Sequence, residues 1–382
     1  MSKYNEEHIA FIEKMRNWGL SWNEVASKFN ENFGTKANHD NLRLALSRSV
    51  FTDGAINRSV QKNNTKKARI LRESWDALES QKDFLTTVEE KIVDAFGTLS
   101  VKPPKRNKIP KSKRKPMTLE LLISDIHVGK STDSFNLEVL DRRLAQIVEN
   151  VTREVHIHEN THKVEKLIIA MLGDLIESST MHKAESLLGC EITNSEQVVE
   201  AVNKLFSGLL VPLYQLGIPI YIAGIPGNHD RTDVKNTFQR RGKENLSYIV
   251  YKMLEKMTQL VKMKGITFDI TEGVYATYDI YGDLVLIEHG DASGKTKDSM
   301  ESTISKRQKQ LSSVVTFFRL AHWHENSSFE RGRIIVNGSI CGADSYSDTL
   351  GFDTQACQVL NFYCPSDRRP NSFYKSFAMY LD

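Results

Sequence analysis

LELLISDIHVG, residues 119–129, decides the fold: a near-continuous apolar run of strand length ends abruptly in Asp125-Ile126-His127. Apolar residues in succession, rather than in alternation, fit a strand buried on both faces, as in a parallel sheet covered by helices. Two later stretches repeat the plan. KLIIAMLG (166–173) is followed by Asp174, and PIYIAGIPG (219–227) by Asn228-His229-Asp230. Amphipathic stretches around 135–155 and 194–216 separate the three runs, which gives βαβαβ. Beyond them ITFDIT, YATYDIYG, LVLIEHG, VVTFFRLAH and RIIVNGSI read as shorter strands, with a helix near 244–263 between the two groups. The second half is expected to form another sheet packed against the first.

In open α/β sheets a ligand lies at the carboxyl ends of the strands. The chemistry-bearing residues of this chain gather there: Asp125 and His127, Asp174, then Asn228, His229 and Asp230, then His289 within EHGD, and His322 and His324 in HWH. Aspartate, asparagine and histidine are donors for divalent metals, and strand ends would bring them to one rim.

The ordered set D-x-H, G-D, G-N-H-D, H and A-H-x-H, within residues 117–345, resembles the calcineurin-like metallophosphoesterases. It departs only in the last motif, where Ala321 stands in place of the usual glycine. The resemblance implies an α/β two-sheet sandwich flanked by helices and a dinuclear metal centre. One ion would be held by Asp125, His127, Asp174 and His324, the other by Asp174, Asn228, His289 and His322, with Asp174 as the bridge. Manganese is the expected ion; iron, zinc or a mixed pair are the alternatives. The catalytic pair implied is His229, beside the phosphate, and Asp230, orienting its ring. Two ions at ~3.5–4 Å lower the pKa of a water and clamp phosphate oxygens for in-line displacement.

The substrate has to be read elsewhere. Phosphoprotein phosphatases of this family carry G-D-x-x-D-R-G, whereas GDLIESSTM here has Glu177 and no arginine. DIHVG is similar to the opening of the DNA-repair nucleases, although those usually place histidine where Glu177 stands. His182, eight residues past Asp174, reads equally as a substrate contact or a solvated loop residue, and Asn337-Gly338-Ser339 shapes the rim or ends a hairpin. His156, His158 and His162 read as a surface loop.

The front of the chain is different. Ile9, Ile12 and Met15 have helical spacing up to Gly19; Ser21 and Glu24 form a capping box that starts a second helix at Trp22, ending at Gly34. A third helix, capped by Asn38, turns Leu42, Ala45 and Leu46 inward and leaves Asn41, Arg43 and Arg48 outward. Three such helices resemble the homeodomain-like helix-turn-helix, whose last helix enters the major groove; a protein-docking bundle is the alternative. Residues 66–97 carry leucine or isoleucine every seventh residue, at Leu71, Leu78, Leu85 and Ile92. This spacing suits a homodimer or packing on a neighbouring domain. VKPPKRNKIPKSKRKP then supplies eight Lys/Arg, including Lys105, Arg106, Lys113, Arg114 and Lys115, and four prolines, the composition of a linker that can also bind phosphates.

The whole chain has 382 residues, 40% apolar and 26% charged, which excludes disorder throughout and allows two or three domains. Its net charge of +3 hides an asymmetry: residues 1–116 carry 23 basic and 14 acidic groups, the remainder 28 and 34. A basic front half calls for a polyanion. No signal peptide or membrane span is read, so a cytoplasmic protein is expected, and the four cysteines fit no metal-ribbon spacing and read as free thiols. The expected organisation is a helix-turn-helix domain over 1–60, a helix and basic linker over 61–116, and a metallophosphoesterase domain over 117–382. The expected function is a DNA phosphodiesterase held on DNA by its front half. The alternatives are a phosphatase or phosphodiesterase on nucleotides or other small phosphates, and a DNA-binding regulator with a vestigial metal domain.

Overall fold

The computed structural model describes residues 4–46, 86, 90, 101, 114–179, 189–232, 242–342, 355–365 and 371–382. The chain divides into two compact units, Met1–Thr86 and Thr87–Asp382. In the first, α1 (Glu6–Asn17) stops before Gly19, whose φ of 81° only glycine adopts readily. The second helix, α2 (Trp22–Phe33), starts at the expected capping box, with Glu24 returning to the Ser21 amide. A third helix, α3, runs through residues 39–46; Asn38 Oδ1 accepts the Asn41 amide at 2.9 Å, as an N-cap does. Ile12, Met15, Val25, Ala26, Phe29 and Leu42 form the core between them. The heptad segment lies outside the described residues, apart from Thr86 and Glu90.

The second unit is a sandwich of two sheets with helices outside. Strands β1 (Lys115–Ile123), β2 (His162–Met171), β3 (Ile220–Gly224) and β4 (Ile266–Ile270) pair in parallel, and β10 (Cys357–Tyr363) and β11 (Phe373–Tyr380) extend the sheet beyond β1 as antiparallel strands. The crossovers contain α4 (Leu137–Glu159), α5 (Asn194–Asn203, continued by a π-helical turn over Lys204–Leu210 and by Val211–Tyr214) and α6 (Leu246–Leu260). The second sheet runs β5 (Tyr275–Ile280), β6 (Asp283–Glu288), β7 (Phe317–Leu320), β9 (Ile334–Val336), β8 (Ser327–Phe329), with α7 (Lys297–Leu311) between β6 and β7. Leu122, Ile168, Ala170 and Leu172 of the first sheet meet Tyr278, Val285, Ile287, Phe317 and Ile335 of the second to fill the interior.

Three expectations need correction. The later strands do not all belong to one sheet: ITFDIT joins the first, because β4 pairs beside β3 at the sheet's edge. The linker does not run to 116, since Lys115 already pairs with His162 and the Arg114 guanidinium donates to the Glu159 carbonyl. His156, His158 and His162 are not a loop. The first two lie in the last turn of α4, where His158 is buried against Phe362, and His162 opens β2. Among the described residues, no helix is long and apolar enough to cross a membrane.

Candidate metal centre

Register brings the motif residues together. Ile123 pairs with Met171, and the ladder continues past the strand ends: the Asp125 amide donates to the Gly173 carbonyl at 3.2 Å, and those of Ile126 and His127 to the Asp174 carbonyl at 2.9 and 3.1 Å. The third loop closes against the second so tightly that a Cβ on Gly227 would stand 2.0 Å from Asp174 Oδ1, and one on Gly173 2.4 Å from the Gly227 nitrogen. The two glycines of the G-D and G-N-H-D motifs are there for this approach. From the other sheet, the Ala321 amide donates to the His289 carbonyl at 2.8 Å and the His322 amide to Asp125 Oδ2 at 3.4 Å.

The turns are strained where the site needs them. Asp125 and His127 (φ 49°), Asp174 (52°), His322 (73°) and His324 (54°) all occupy the left-handed region, at roughly 1–3 kcal/mol each. Such conformations gather at ligand sites because the surrounding structure holds them there. Ala321 is not among the residues at positive φ, so its methyl group meets no backbone penalty in the place of a glycine.

All seven expected ligands stand at this rim, with His229 beside them. Donors bound to one ion at ~2.0–2.2 Å lie roughly 3.0–3.5 Å apart, and the separations here are of that size. His127 Nε2 is 3.2 Å from His324 Nε2, which is 3.3 Å from Asp125 Oδ1. His289 Nε2 is 2.9 Å from Asn228 Oδ1 and 3.1 Å from Asp174 Oδ2. Asp174, His289 and His322 form one potential metal-holding group, His127, Asp174 and His229 a second, and His127, His324 and Cys341 a third.

The donor chemistry fits a cation. His289 Nδ1 lies 2.7 Å from the Leu172 carbonyl, which only accepts, so Nδ1 carries a proton and Nε2 is the atom turned to the two oxygens. Burial opposes charge on His289, yet Asp174 and Asp125 outweigh it and push the imidazole up to about 10, so that without an ion Nε2 carries a proton toward those oxygens. A divalent ion would take the place of that proton. On the other side Asp125 Oδ1 is buried without a hydrogen bond. Burial holds His127 down to about 4, and its Nδ1 lies 2.7 Å from Glu177 Oε2, so the neutral ring turns its proton to the carboxylate and its Nε2 to the rim. Burial would raise Glu177, but His127 brings it to about 2 and keeps it ionised. A carboxylate behind an imidazole fixes the tautomer and makes a better ligand.

Glu177 also supplies what was expected of Asp230. His229 Nδ1 lies 2.9 Å from the Glu177 carbonyl oxygen. Asp230 instead accepts from the amides of Asp174, Leu175, Ile176 and Gly227 at 2.8–3.1 Å, bracing the ligand-bearing loops. Four orphan amides in a tight turn draw a carboxylate more strongly than one ring nitrogen does. Asn337-Gly338-Ser339 follows the last pair of the β8–β9 hairpin, Ser327 with Val336, and is buried behind β1, where Asn337 Nδ2 donates to Ser124 Oγ and Gln358 Oε1, both at 2.9 Å. Cys341 is free and buried, and its place beside His127 and His324 has no signature in the sequence. Burial would raise this thiol, but Lys130 and His324 outweigh it and lower it.

Of the residues expected to bind nucleic acid, Asn41 and Arg43 are exposed on α3, while Arg114 and Lys115 lead into β1. Arg48, Lys105, Arg106 and Lys113 lie outside the described residues, as does His182.

Fold and rim together define a mixed α/β sandwich with histidine and aspartate groups able to hold divalent metal. Solved structures similar to it include vacuolar protein sorting 29 from Cryptosporidium parvum (15% identity, 69% of this chain and 98% of that chain, TM-score 0.31). Vps29 complexed with zinc from Entamoeba histolytica is another (11%, 69% and 99%, 0.28), as is a predicted phosphoesterase from Streptococcus pneumoniae (12%, 69% and 98%, 0.27). No family model and no curated protein matches the chain.

Proposed function

We propose that this chain is a metal-dependent phosphoester hydrolase whose substrate is DNA, held by the basic front half. The observation that carries the hydrolase is the meeting of seven strand-end donors from two sheets, in adjoining groups two of which share Asp174 and two His127. Asp125, His127, Asp174 and His324 would hold one divalent ion, and Asp174, Asn228, His289 and His322 the other. When bound, such a pair supplies a water of lowered pKa and neutralises charge on the phosphate. His229 stands next to the rim, its ring 4.6 Å from that of His127, with Nδ1 turned to the Glu177 carbonyl. Its Nε2 side can then hold a phosphate oxygen or pass a proton to the leaving group. Asp230 keeps the loops of Asp174 and Asn228 in register. The charge excess of residues 1–116 supports DNA, because holding a polyanion near the site raises its local concentration.

The test is digestion of end-labelled single- and double-stranded DNA by the full chain with added manganese, with a chromogenic phosphomonoester in parallel and Asp174→Asn as control. Cleavage of DNA that disappears in the control is expected. Hydrolysis of the monoester with DNA intact would replace DNA by small phosphates, and full activity of Asp174→Asn would remove the two-metal reading.

A further inference from the structure

We propose that Cys341 is a donor to the ion held by His127 and His324, giving that half of the rim a thiolate. The inference rests on reading the rim as a metal site and adds a residue to it. The ligand atoms of His127, His324 and Cys341 lie within 4.8 Å of one another, at a separation that an ion can draw together. Asp125 Oδ1, fully buried and without a hydrogen bond, is turned to the same place, 3.3 Å from His324 Nε2.

The segment bearing the thiol is tied from outside by Asp125 and Arg143, and a serine within it faces the sulfur. The Ile340 amide donates to the Asp125 carbonyl at 3.1 Å, so the loop moves with the first ligand. Arg143 of α4, itself buried, donates through Nη1 to the carbonyls of Ile340 and Cys341 at 2.7 and 2.9 Å. Ser339 Oγ accepts the Gly342 amide at 3.2 Å and lies 2.8 Å from the sulfur, so its own proton is available to a thiolate. A buried cysteine serving only to fill space needs none of this.

A thiolate changes which metal the site prefers. Soft sulfur favours zinc, cobalt or iron(II) over manganese, which prefers oxygen. The manganese expected from the sequence would therefore bind, but less tightly than zinc.

The test uses the full chain, stripped with a chelator and reloaded with cobalt(II), and reads its absorption spectrum. Wild type should show ligand-field bands and a thiolate-to-cobalt charge-transfer band. In Cys341→Ser and Cys341→Ala the charge-transfer band should vanish with the ligand-field bands kept, and Cys357→Ser, a buried thiol elsewhere, should retain both. Competition between zinc and manganese should show the preference for zinc falling by roughly tenfold or more in Cys341→Ser. Ligand-field bands without a charge-transfer band in wild type, or a charge-transfer band that survives loss of Cys341, would overturn the donor and leave the metal rim standing. No cobalt bound at all would overturn both. Should the Cys341 variants fail to fold, a charge-transfer band that persists when Cys190, Cys357 and Cys364 are each replaced by serine assigns it to Cys341, and one lost with any of these overturns the donor.

Discussion

Glu177 holds two histidines at once, His127 through its carboxylate and His229 through its carbonyl. The backbone half of this arrangement survives substitution, so the side chain can be tested by itself. Glu177→Ala should weaken metal binding about 10–100-fold, the usual effect of losing the partner behind a ligand histidine. Glu177→Gln, which can still accept from Nδ1, should lose less. Calorimetric titration of the metal-free chain measures both, and two affinities equal to wild type would show that His127 needs no orienting. Far from the rim, His158 offers a pH handle. Burial, and next Lys375, hold its pKa below 6.5, and its Nε2 has no hydrogen bond. The unfolded chain accepts a proton near 6.5 whereas the folded chain resists it, so stability is fully present above 6.5 and falls as pH drops toward the lowered folded value. His158→Gln should flatten the Tm of the protein against pH between about 7 and 5; an unaltered slope would mean that the folded ring titrates freely.

Loops rather than single side chains set the spacing of the rim, and the contact of Gly173 with Gly227 is where they can be broken. Gly227→Ala puts a methyl 2.0 Å from Asp174 Oδ1, so the bridging carboxylate must move. Metal binding should be lost together with about 1–3 kcal/mol of stability. Gly265→Ala is the control: its φ of 86° is also strained for alanine, but nothing lies within 4 Å. It should lower the Tm and leave metal binding intact, and equal metal loss in both variants would refute the steric account. These motif loops were legible in the sequence because apolar runs stop at polar residues that strands do not otherwise favour. Other elements were not. Helix α7 buries only Met300, Thr303 and Ile304 and so lacks an apolar stripe to read. Strand β10 is buried throughout but carries Gln358 and Asn361, whose partners, Ser124 and Glu120, lie more than two hundred residues away. Glu177 and Cys341 were hidden for the same reason, since their roles come from neighbours that only the fold supplies.

At the scale of the molecule the rim straddles two sheets, with Asp125, His127, Asp174 and Asn228 following strands of one, and His289, His322 and His324 following strands of the other. The sheets must therefore be fixed relative to each other, and non-directional apolar packing alone tolerates sliding. A polar tie lies inside the sandwich. Glu120 of β1 accepts from Arg319 Nε of β7 at 2.9 Å, from Tyr363 Oη and Asn361 Nδ2 of β10 at 2.6 and 2.7 Å, and from Tyr278 Oη of β5 at 2.6 Å. Arg319 spends its remaining protons on Tyr363 Oη and on the carbonyls of Phe318, Gly332 and Arg333. Both charges are fully buried, and burial opposes them, but the satisfied hydrogen bonds and the opposite charge keep Arg319 above its ordinary range. Removing one partner strands the other in a medium that cannot solvate it. Glu120→Leu and Arg319→Met should each cost roughly 3–5 kcal/mol, while the double replacement costs much less than their sum because no charge is left unpaired. Denaturant unfolding of the four proteins gives the coupling. The variants that remain folded should also bind metal more weakly than wild type, since the two halves of the rim would no longer be held at one spacing. Additive costs with unchanged metal affinity would show that the tie contributes nothing to the placement of the sheets.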